Sequence, residues 1–417
     1  MDRGATRRIR RAVAVAIVGA VLASACACAP ESAQPTVAPS ASVSSVTTPP
    51  APATTAPSPT PAPTLVPRPT PTALPDPLAG MSRRERVAQL FMVGTDAESA
   101  DRVTLAAVSD GRIGGIFLRG RSHAGTKPTS AVVSRFTKRL PADSPPLWVA
   151  TDQEGGQVQV LSGRGFDDIP SALAQSKSGC RGLRADAARW GRQLWRAGVT
   201  MNLAPVADVV ADAREAARNP PIGRLDRQYG YGGESVIRCA GAVASGFRSA
   251  GILPTFKHFP GLGRVTANTD YSADVVDARV SRRSTDVTVY RRLLDEGPAV
   301  VMMSSAVYRK IDRRAPAVFS KRVVTGLLRG DLGFDGVVMS DDLSATAAVA
   351  RWAPGDRAVR AVEAGVDLIL VSADASVFPE MYTAVLRAAR ADPAFAAQVD
   401  AAARRIVELK SAFPAAR

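Results

Sequence analysis

The sequence holds two histidines and four cysteines in 417 residues, and none are spaced as a cluster of metal ligands. No metal is therefore implied, and no other cofactor. Aromatic residues make up only 5% of the chain, so an interior must be built from Ala, Val, Leu and Ile, which suits alternating strands and helices. The apolar stretch Ala12 to Ala23 is too short to span a bilayer comfortably. A nucleotide loop is missing as well: Gly261-Leu262-Gly263 lacks the continuation that a dinucleotide fingerprint requires. Acidic residues are outnumbered, 38 against 53 Lys and Arg, for a net charge of +15. Such a surface attracts polyanions, including acidic cell-wall polymers and anionic lipid. The basic residues are dispersed and form no nucleic-acid module, so nucleic acid is not an expected partner.

The N-terminus reads as an export signal. Arg3, Arg7, Arg8, Arg10 and Arg11 precede the short apolar stretch, which ends in small residues before Cys26. Ala23-Ser24-Ala25-Cys26 resembles a bacterial lipobox, in which the cysteine is lipid-modified; Cys28 is a second candidate, and an ordinary cleaved signal is the alternative. The expected domains are a signal peptide over 1–26, an unstructured tether over 27–77 and one folded domain over 78–417. The tether follows from composition: Pro, Ala, Thr, Ser and Val with almost no charge bury too little apolar surface to offset chain ordering. Cys180 and Cys239 lie in the folded part. Export makes a disulfide between them feasible, and two free buried thiols are the alternative.

Beyond Pro77, eight apolar runs of strand type recur: Leu90 to Val93, Gly115 to Leu118, Leu147 to Ala150, Met201 to Ala204, Pro254 to Lys257, Val300 to Met303, Gly336 to Met339 and Leu368 to Val371. Amphipathic stretches such as Ala185 to Ala197, Ser235 to Ala250, Lys321 to Leu332 and Pro379 to Ala391 lie between them. The pattern predicts an α/β fold, a single (β/α)8 barrel of the TIM type, with an open doubly wound sheet as its competitor. The barrel is favoured because polar residues follow many strands rather than gathering at one switch point. They include Asp152 and Glu154, Asp208, Lys257 and His258, Ser304 and Ser305, Asp341, and Ser372.

Two stretches concentrate the chemistry, Pro254 to Asp270 and Phe334 to Ser344. Each starts as a buried strand and ends in charged residues, delivering Lys257, His258 and Asp270 in one case and Asp341 and Asp342 in the other. Two separated carboxylates among sugar-binding polar groups suggest glycoside cleavage.

Five motifs extend this reading. DQEGG (Asp152 to Gly156), NLAPVADV (Asn202 to Val209), NPPIGRLDRQYG (Asn219 to Gly230), KHFPG (Lys257 to Gly261) and SDDLS (Ser340 to Ser344) stand in the order and rough spacing of family 3 glycoside hydrolases. The chain is most similar in these motifs to the single-barrel bacterial β-N-acetylhexosaminidases, over about Leu78 to Phe413. The resemblance implies a retaining exo-β-N-acetylglucosaminidase acting on peptidoglycan-derived amino-sugar oligosaccharides, working as a monomer held at the membrane by its lipid. It makes Asp341 the nucleophile, with a helix N-cap as that residue's structural alternative. Asp152, Arg227, Lys257 and His258 become contacts to the terminal sugar's hydroxyls, or else a salt-bridge network at the barrel mouth. Glu154 is expected to brace its loop, and Asp208 to support Lys257 or Arg227. Pro260, Gly261, Met303 and Ser305 are the expected neighbours of an N-acetyl pocket.

The chain departs from the resemblance at the proton donor. Those hexosaminidases carry an Asp-x-His dyad in this loop, and here Asn268-Thr269-Asp270 stands in its place. Asp270 is then the expected acid/base, with a carboxyl raised by burial or by Asp341, and Asn268 orients it by donating a hydrogen bond. Asp274 is the reserve, and ordinary turn chemistry is the alternative for the whole segment. His123 is expected at the surface. An ionised Asp270 would repel an anionic acceptor by about 1 kcal/mol or more at about 4 Å, so hydrolysis is expected over phosphorolysis. A sugar-binding lipoprotein that has lost catalysis, or a β-glycosidase for another sugar, are the competing functions.

Overall fold

Every strand of the central sheet is buried on both faces, which is why the sequence shows continuous apolar runs rather than alternation. The computed structural model describes residues 76–413; the signal segment, Cys26 and nearly all of the tether lie outside the described residues. Eight parallel strands close into a barrel: β1 (Phe91–Asp96), β2 (Gly115–Arg119), β3 (Trp148–Thr151), β4 (Met201–Asn202), β5 (Leu253–Phe259), β6 (Val300–Met303), β7 (Val338–Asp342) and β8 (Leu368–Val371). Closure is made by β1 and β8, with Phe91 opposite Ile369 and Val93 opposite Val371, which rules out the open sheet.

All eight expected strands are present, with shifted ends. β5 runs on through Lys257 and His258 to Phe259, and β7 starts at Val338 and carries Asp341 and Asp342 inside it. Side chains alternate between two cores. Met92, Phe117, Met302 and Leu370 point to the barrel axis, while Phe91, Val93, Ile116 and Ile369 face the helices.

The helical shell begins with α1 (Arg83–Gln89), started by a reciprocal capping box between Ser82 and Glu85. It continues through α2 (Arg102–Ser109), α3 (Thr126–Thr137), α4 (Leu183–Arg196), α5 (Gly233–Ser249) and α6 (Thr285–Leu294), then α7 (Pro354–Ala364), α8 (Phe378–Ala391) and α9 (Pro393–Ala412). The crossover between β6 and β7, expected as an α-helix, is a wider π-helical segment over Arg322–Asp331.

α4 shows how sequence makes this shell. Leu183, Ala187, Trp190, Gly191 and Leu194 recur at helical spacing and are its buried face. Gly191 and Gly246 let α4 and α5 approach closely: a β-carbon on either would lie 2.7 Å from Ala250 Cβ or Ala187 Cβ respectively. The Cys180–Cys239 disulfide, with Cα atoms 5.2 Å apart, ties the lead-in of α4 to α5. Its loop of about 59 residues corresponds to about 4 kcal/mol in the chain-entropy account.

α9 runs under the N-terminal ends of the strands, with Ile406 in the axial core and Lys410 fully buried beneath Trp148. The opposite, C-terminal end stays open.

Candidate active site

At that open end lies a cavity of about 380 Å³ whose floor is apolar, formed by Phe117, Leu203, Met302 and Leu370 from the axial layer. Its walls are polar and charged. Asp152, Arg227, Lys257, His258, Asn268, Asp270 and Asp341 all line it, so the structure brings the expected contact and catalytic residues together. Asp274 and His123 do not line the cavity, and His123 is exposed, its Nδ1 2.6 Å from Ser162 Oγ.

Consecutive strand residues normally point to opposite faces, yet Lys257 and His258 both reach the cavity, as do Asp341 and Asp342. Both pairs sit at irregularities in strand register. The shift between Lys257 and Phe259 against β6, and that between Met339 and Asp342 against β8, re-aim the strand ends. The Lys257–His258 peptide is cis.

Glu154 organises the cationic wall. Its side chain is almost fully buried; Arg227 donates to it through Nε at 2.8 Å and Nη2 at 2.7 Å, and Lys257 Nζ lies 2.6 Å from the same carboxylate. Lys257 also donates to Asp152 Oδ1 at 2.6 Å. Burial would lift the Glu154 carboxyl, but Arg227 and Lys257 outweigh it and hold its pKa at about 2. Burial likewise opposes the charge on Lys257, and Asp152 and Glu154 reverse that, so the lysine's pKa is raised. Glu154 therefore does more than brace a loop. It fixes the two cations beside which Asp152, with its side chain 29% exposed, faces the cavity.

Asp208 has a different partner from the one expected. Fully buried, it makes no hydrogen bond to Lys257 or Arg227, although its charge helps to keep Arg227 ionised. It lies 2.8 Å from His258 Nδ1 and accepts from the backbone N–H groups of His258 and Leu262 at 3.2 and 2.6 Å. Facing a carboxylate, Nδ1 carries the proton and the ring is held in one orientation. The same carboxylate pins the start of the loop that leads to Asp270.

Asn219, which sequence reasoning passed over, is that loop's second strut. Its amide donates to Leu262 O and Val265 O at 2.7 and 2.8 Å and accepts from the backbone N–H groups of Ile222 and Gly223. Its place inside the NPPIGRLDRQYG motif was the available signal.

The far end of the loop docks on the chain just after β7. Ala347 N–H donates to Asp270 O at 3.2 Å and Ala348 N–H to Thr269 O at 3.1 Å. Asn268 accepts from the backbone N–H of Asp270 at 3.0 Å, shaping the turn as an Asx-turn, and its side chain also acts on the Asp270 carboxyl, helping to lower its pKa.

The two candidate carboxyls differ in setting. Burial lifts Asp341 to a pKa of about 6, with His258 opposing and Asp270 adding to the rise. Asp270 lies on an exposed turn, and the protein around its carboxyl raises its pKa while His258 and Arg227 pull it down. Asp342, next to Asp341, braces the turn after β7, accepting from Ser344 N, Ser344 Oγ, Ala345 N and Ser372 N, while Asp341 accepts from the Asp342 N–H at 2.8 Å and lines the cavity.

Of the expected neighbours of an N-acetyl pocket, none lines the cavity. Met302, not Met303, points to the axis, and Ser305 is buried away from it. Among the described residues no three of His, Cys, Asp or Glu are grouped to hold a metal ion, and no helix is long and apolar enough to cross a membrane.

Comparison with known proteins adds to this geometry. The Glycosyl hydrolase family 3 N terminal domain matches residues 82–409. Over 344 residues the chain is 32% identical to the beta-hexosaminidase LpqI of Mycobacterium tuberculosis (strain ATCC 25618 / H37Rv), covering 80% of this chain and 84% of that protein. The fold is similar to the crystal structure of a beta-N-acetylhexosaminidase from Beutenbergia cavernae DSM 12333, at 51% identity and a TM-score of 0.79, over 80% of this chain and 99% of that one. It is also similar to a glycoside hydrolase family 3 beta-N-acetylglucosaminidase from Paenibacillus sp. str. FPU-7, at 29% identity and a TM-score of 0.73, over 79% of this chain and 62% of that one.

Proposed function

The chain belongs to glycosyl hydrolase family 3 and is a β-N-acetylhexosaminidase, and from that premise we propose that it is a retaining, exo-acting β-N-acetylglucosaminidase using Asp341 as nucleophile and Asp270 as acid/base. The observation that carries the reading is the sharing of one cavity by these two carboxyls, the loop of one docked by backbone hydrogen bonds on the chain that follows the other.

Asp152, Arg227, Lys257 and His258 hold the terminal sugar's hydroxyls and place its anomeric carbon at Asp341. The Asp341 carboxylate bonds to that carbon as the glycosidic C–O bond breaks, and the Asp270 carboxyl gives its proton to the departing oxygen. In the glycosyl-enzyme, Asp341 is an ester and carries no charge. Asp270, now ionised, takes a proton from water as the water oxygen bonds to the anomeric carbon, and the ester C–O bond breaks to free Asp341. The proton cycle closes without a metal or cofactor. The negative Asp270 at this stage disfavours an anionic acceptor, so water is the preferred one.

The site of action is the cell envelope. Export is supported by the arginine-led apolar N-terminus and by the Cys180–Cys239 disulfide, since such bonds persist in oxidising compartments. Cys26 is the proposed lipid anchor, 27–77 the tether and 78–417 the catalytic domain of a monomer. The +15 charge suits work among acidic wall polymers, and peptidoglycan-derived amino-sugar fragments are the proposed substrates.

Hydrolysis of β-N-acetylglucosaminides by the parent, Asp341→Ala and Asp270→Asn tests the mechanism. Asp341→Ala is expected to abolish turnover of every substrate. Asp270→Asn is expected to slow glycosides with poor leaving groups by about 10²- to 10⁴-fold and activated aryl glycosides much less, because only the former need the proton. Orthophosphate is expected not to speed turnover. A parent that binds the sugar but cleaves nothing would replace this reading with a carbohydrate receptor.

A further inference from the structure

We propose that Tyr271 is the aglycone platform of this enzyme: its ring stacks on the apolar face of the sugar on the leaving side of the scissile bond, so that the enzyme selects sugar leaving groups over small alcohols. The inference rests on the assignment of Asp270 as proton donor.

Aromatics are scarce in this chain, and the described ones are mostly buried. Large hydrophobic side chains classed as exposed are Val103 at 39%, Tyr231 at 41% and Tyr271 at 84%. Tyr271 stands apart, and it lines the same cavity as Asp270 and Asp341. So bare a ring forgoes the burial that normally stabilises an aromatic side chain.

Its position is fixed. The turn from Asn268 to Tyr271 is closed by the Tyr271 N–H donating to Asn268 O at 3.2 Å and by the Asn268 side chain accepting from Asp270 N–H. Thr269, at its centre, is 2% exposed, and the carbonyls of Thr269 and Asp270 are held by Ala348 and Ala347. A tyrosine ring presented on an anchored turn has only two side-chain torsions to immobilise on binding, so little ordering entropy opposes a stack.

Placement decides what it meets. The terminal sugar is gripped by Lys257, His258, Asp152 and Arg227, whereas Asp270 must reach the departing oxygen. The residue directly after Asp270, on the open rim, therefore faces the group that leaves. A hexopyranose offers one face of C–H groups to a ring of this size, with its hydroxyls left in water, as the amphipathic tyrosine also requires.

The test compares two substrates on the full chain: the β-1,4-linked dimer of N-acetylglucosamine and methyl β-N-acetylglucosaminide. Both leaving groups are alkoxides that need the Asp270 proton, so a disturbance of Asp270 affects both alike, but only the dimer has a ring to stack. Tyr271→Ala is expected to lower the ratio of kcat/KM for dimer over methyl glycoside by about 10-fold, and Tyr271→Phe to keep the ratio within about 2-fold of the parent's. If the parent cleaves both and the ratio is unmoved in Tyr271→Ala, or Phe loses as much as Ala, the platform is refuted while the proposed function stands. If the parent cleaves neither, the proposed function falls and this inference with it.

Discussion

Lys257, at the mouth of the barrel, is 2% exposed, and Lys410, under its base, is 1% exposed. Burial acts on both ammonium groups in the same direction, yet the outcomes are opposite. Lys257 lies within 2.6 Å of two carboxylates, Asp152 and Glu154, and its pKa is raised. Lys410 donates to the neutral oxygens of Gln89 and Gly114, each at 2.7 Å, and burial lowers its pKa to about 7. The difference teaches that neutral acceptors satisfy a buried lysine's hydrogen bonds without sustaining its charge. The mouth keeps its charges by setting them against one another, and the base has one titratable amine that nothing holds ionised.

Removing the shared anion is the strongest way to break this contrast. Glu154→Gln leaves Arg227 and Lys257, both nearly buried, with Asp152 as the remaining close carboxylate, which touches only Lys257. Breaking a buried ion pair from one side typically costs about 3–5 kcal/mol. Chemical denaturation is expected to show a loss of that order, and the KM for N-acetylglucosaminides to rise because the two cations no longer hold their places. A variant as stable as the parent would mean that Glu154 is dispensable and that Asp152 alone sustains Lys257.

Asp341 sharpens the comparison from the acidic side, since burial opposes its charge by more than His258 and Lys257 offset. Its carboxyl rises from 3.8 to about 6, so between those pH values the native state binds more protons than the unfolded chain. Stability is therefore lost as pH rises from about 4 to about 6, and the full cost is present at pH 7. Two units amount to about 3 kcal/mol at most, less where solvent reaches the group. Asp341→Asn is expected to be inactive yet to melt at a higher temperature than the parent at pH 7, with the two curves converging near pH 4. Equal Tm values at both pH values would show that the carboxyl carries no such burden.

The sequence made much of this architecture legible, for identifiable reasons. Eight apolar runs mark eight strands because a barrel strand is buried on both sides, and the closed sheet follows from the polar residues after so many of them. The same property hid the finer detail. An apolar run such as Val300–Met303 does not alternate, so nothing reveals which parity faces the axis, and Met302 rather than Met303 lines the cavity. The register shifts that turn Lys257 with His258, and Asp341 with Asp342, toward one space leave no trace in composition. Asp208 was legible as a supporting acid, but its hydrogen-bond partner, His258, is set by how the chain after β4 lies against β5. Glu154 was read as a loop brace because a sequence does not show that two cations separated from it by about 70 and 100 residues converge on one carboxylate.

Lys410 supplies the reciprocal prediction, with the smallest expected effect. Its native pKa of about 7 lies below the ordinary 10.5, so between these values the unfolded chain binds more protons than the native one. By linkage, stability rises with pH through this window, by about 2 kcal/mol from pH 7 to pH 9. Lys410→Met leaves Gln89 Oε1 and Gly114 O without this donor, a cost of about 1–3 kcal/mol, but it removes the proton and with it the slope. Denaturation across that range is expected to show the rise in the parent and a flat profile in the variant. Hydrolysis by the variant is expected to match the parent's, because Lys410 lies at the closed end, under Trp148, away from the cavity. Parallel pH profiles would mean that Lys410 keeps its charge at the base without a carboxylate, and that pairing is not what separates it from Lys257.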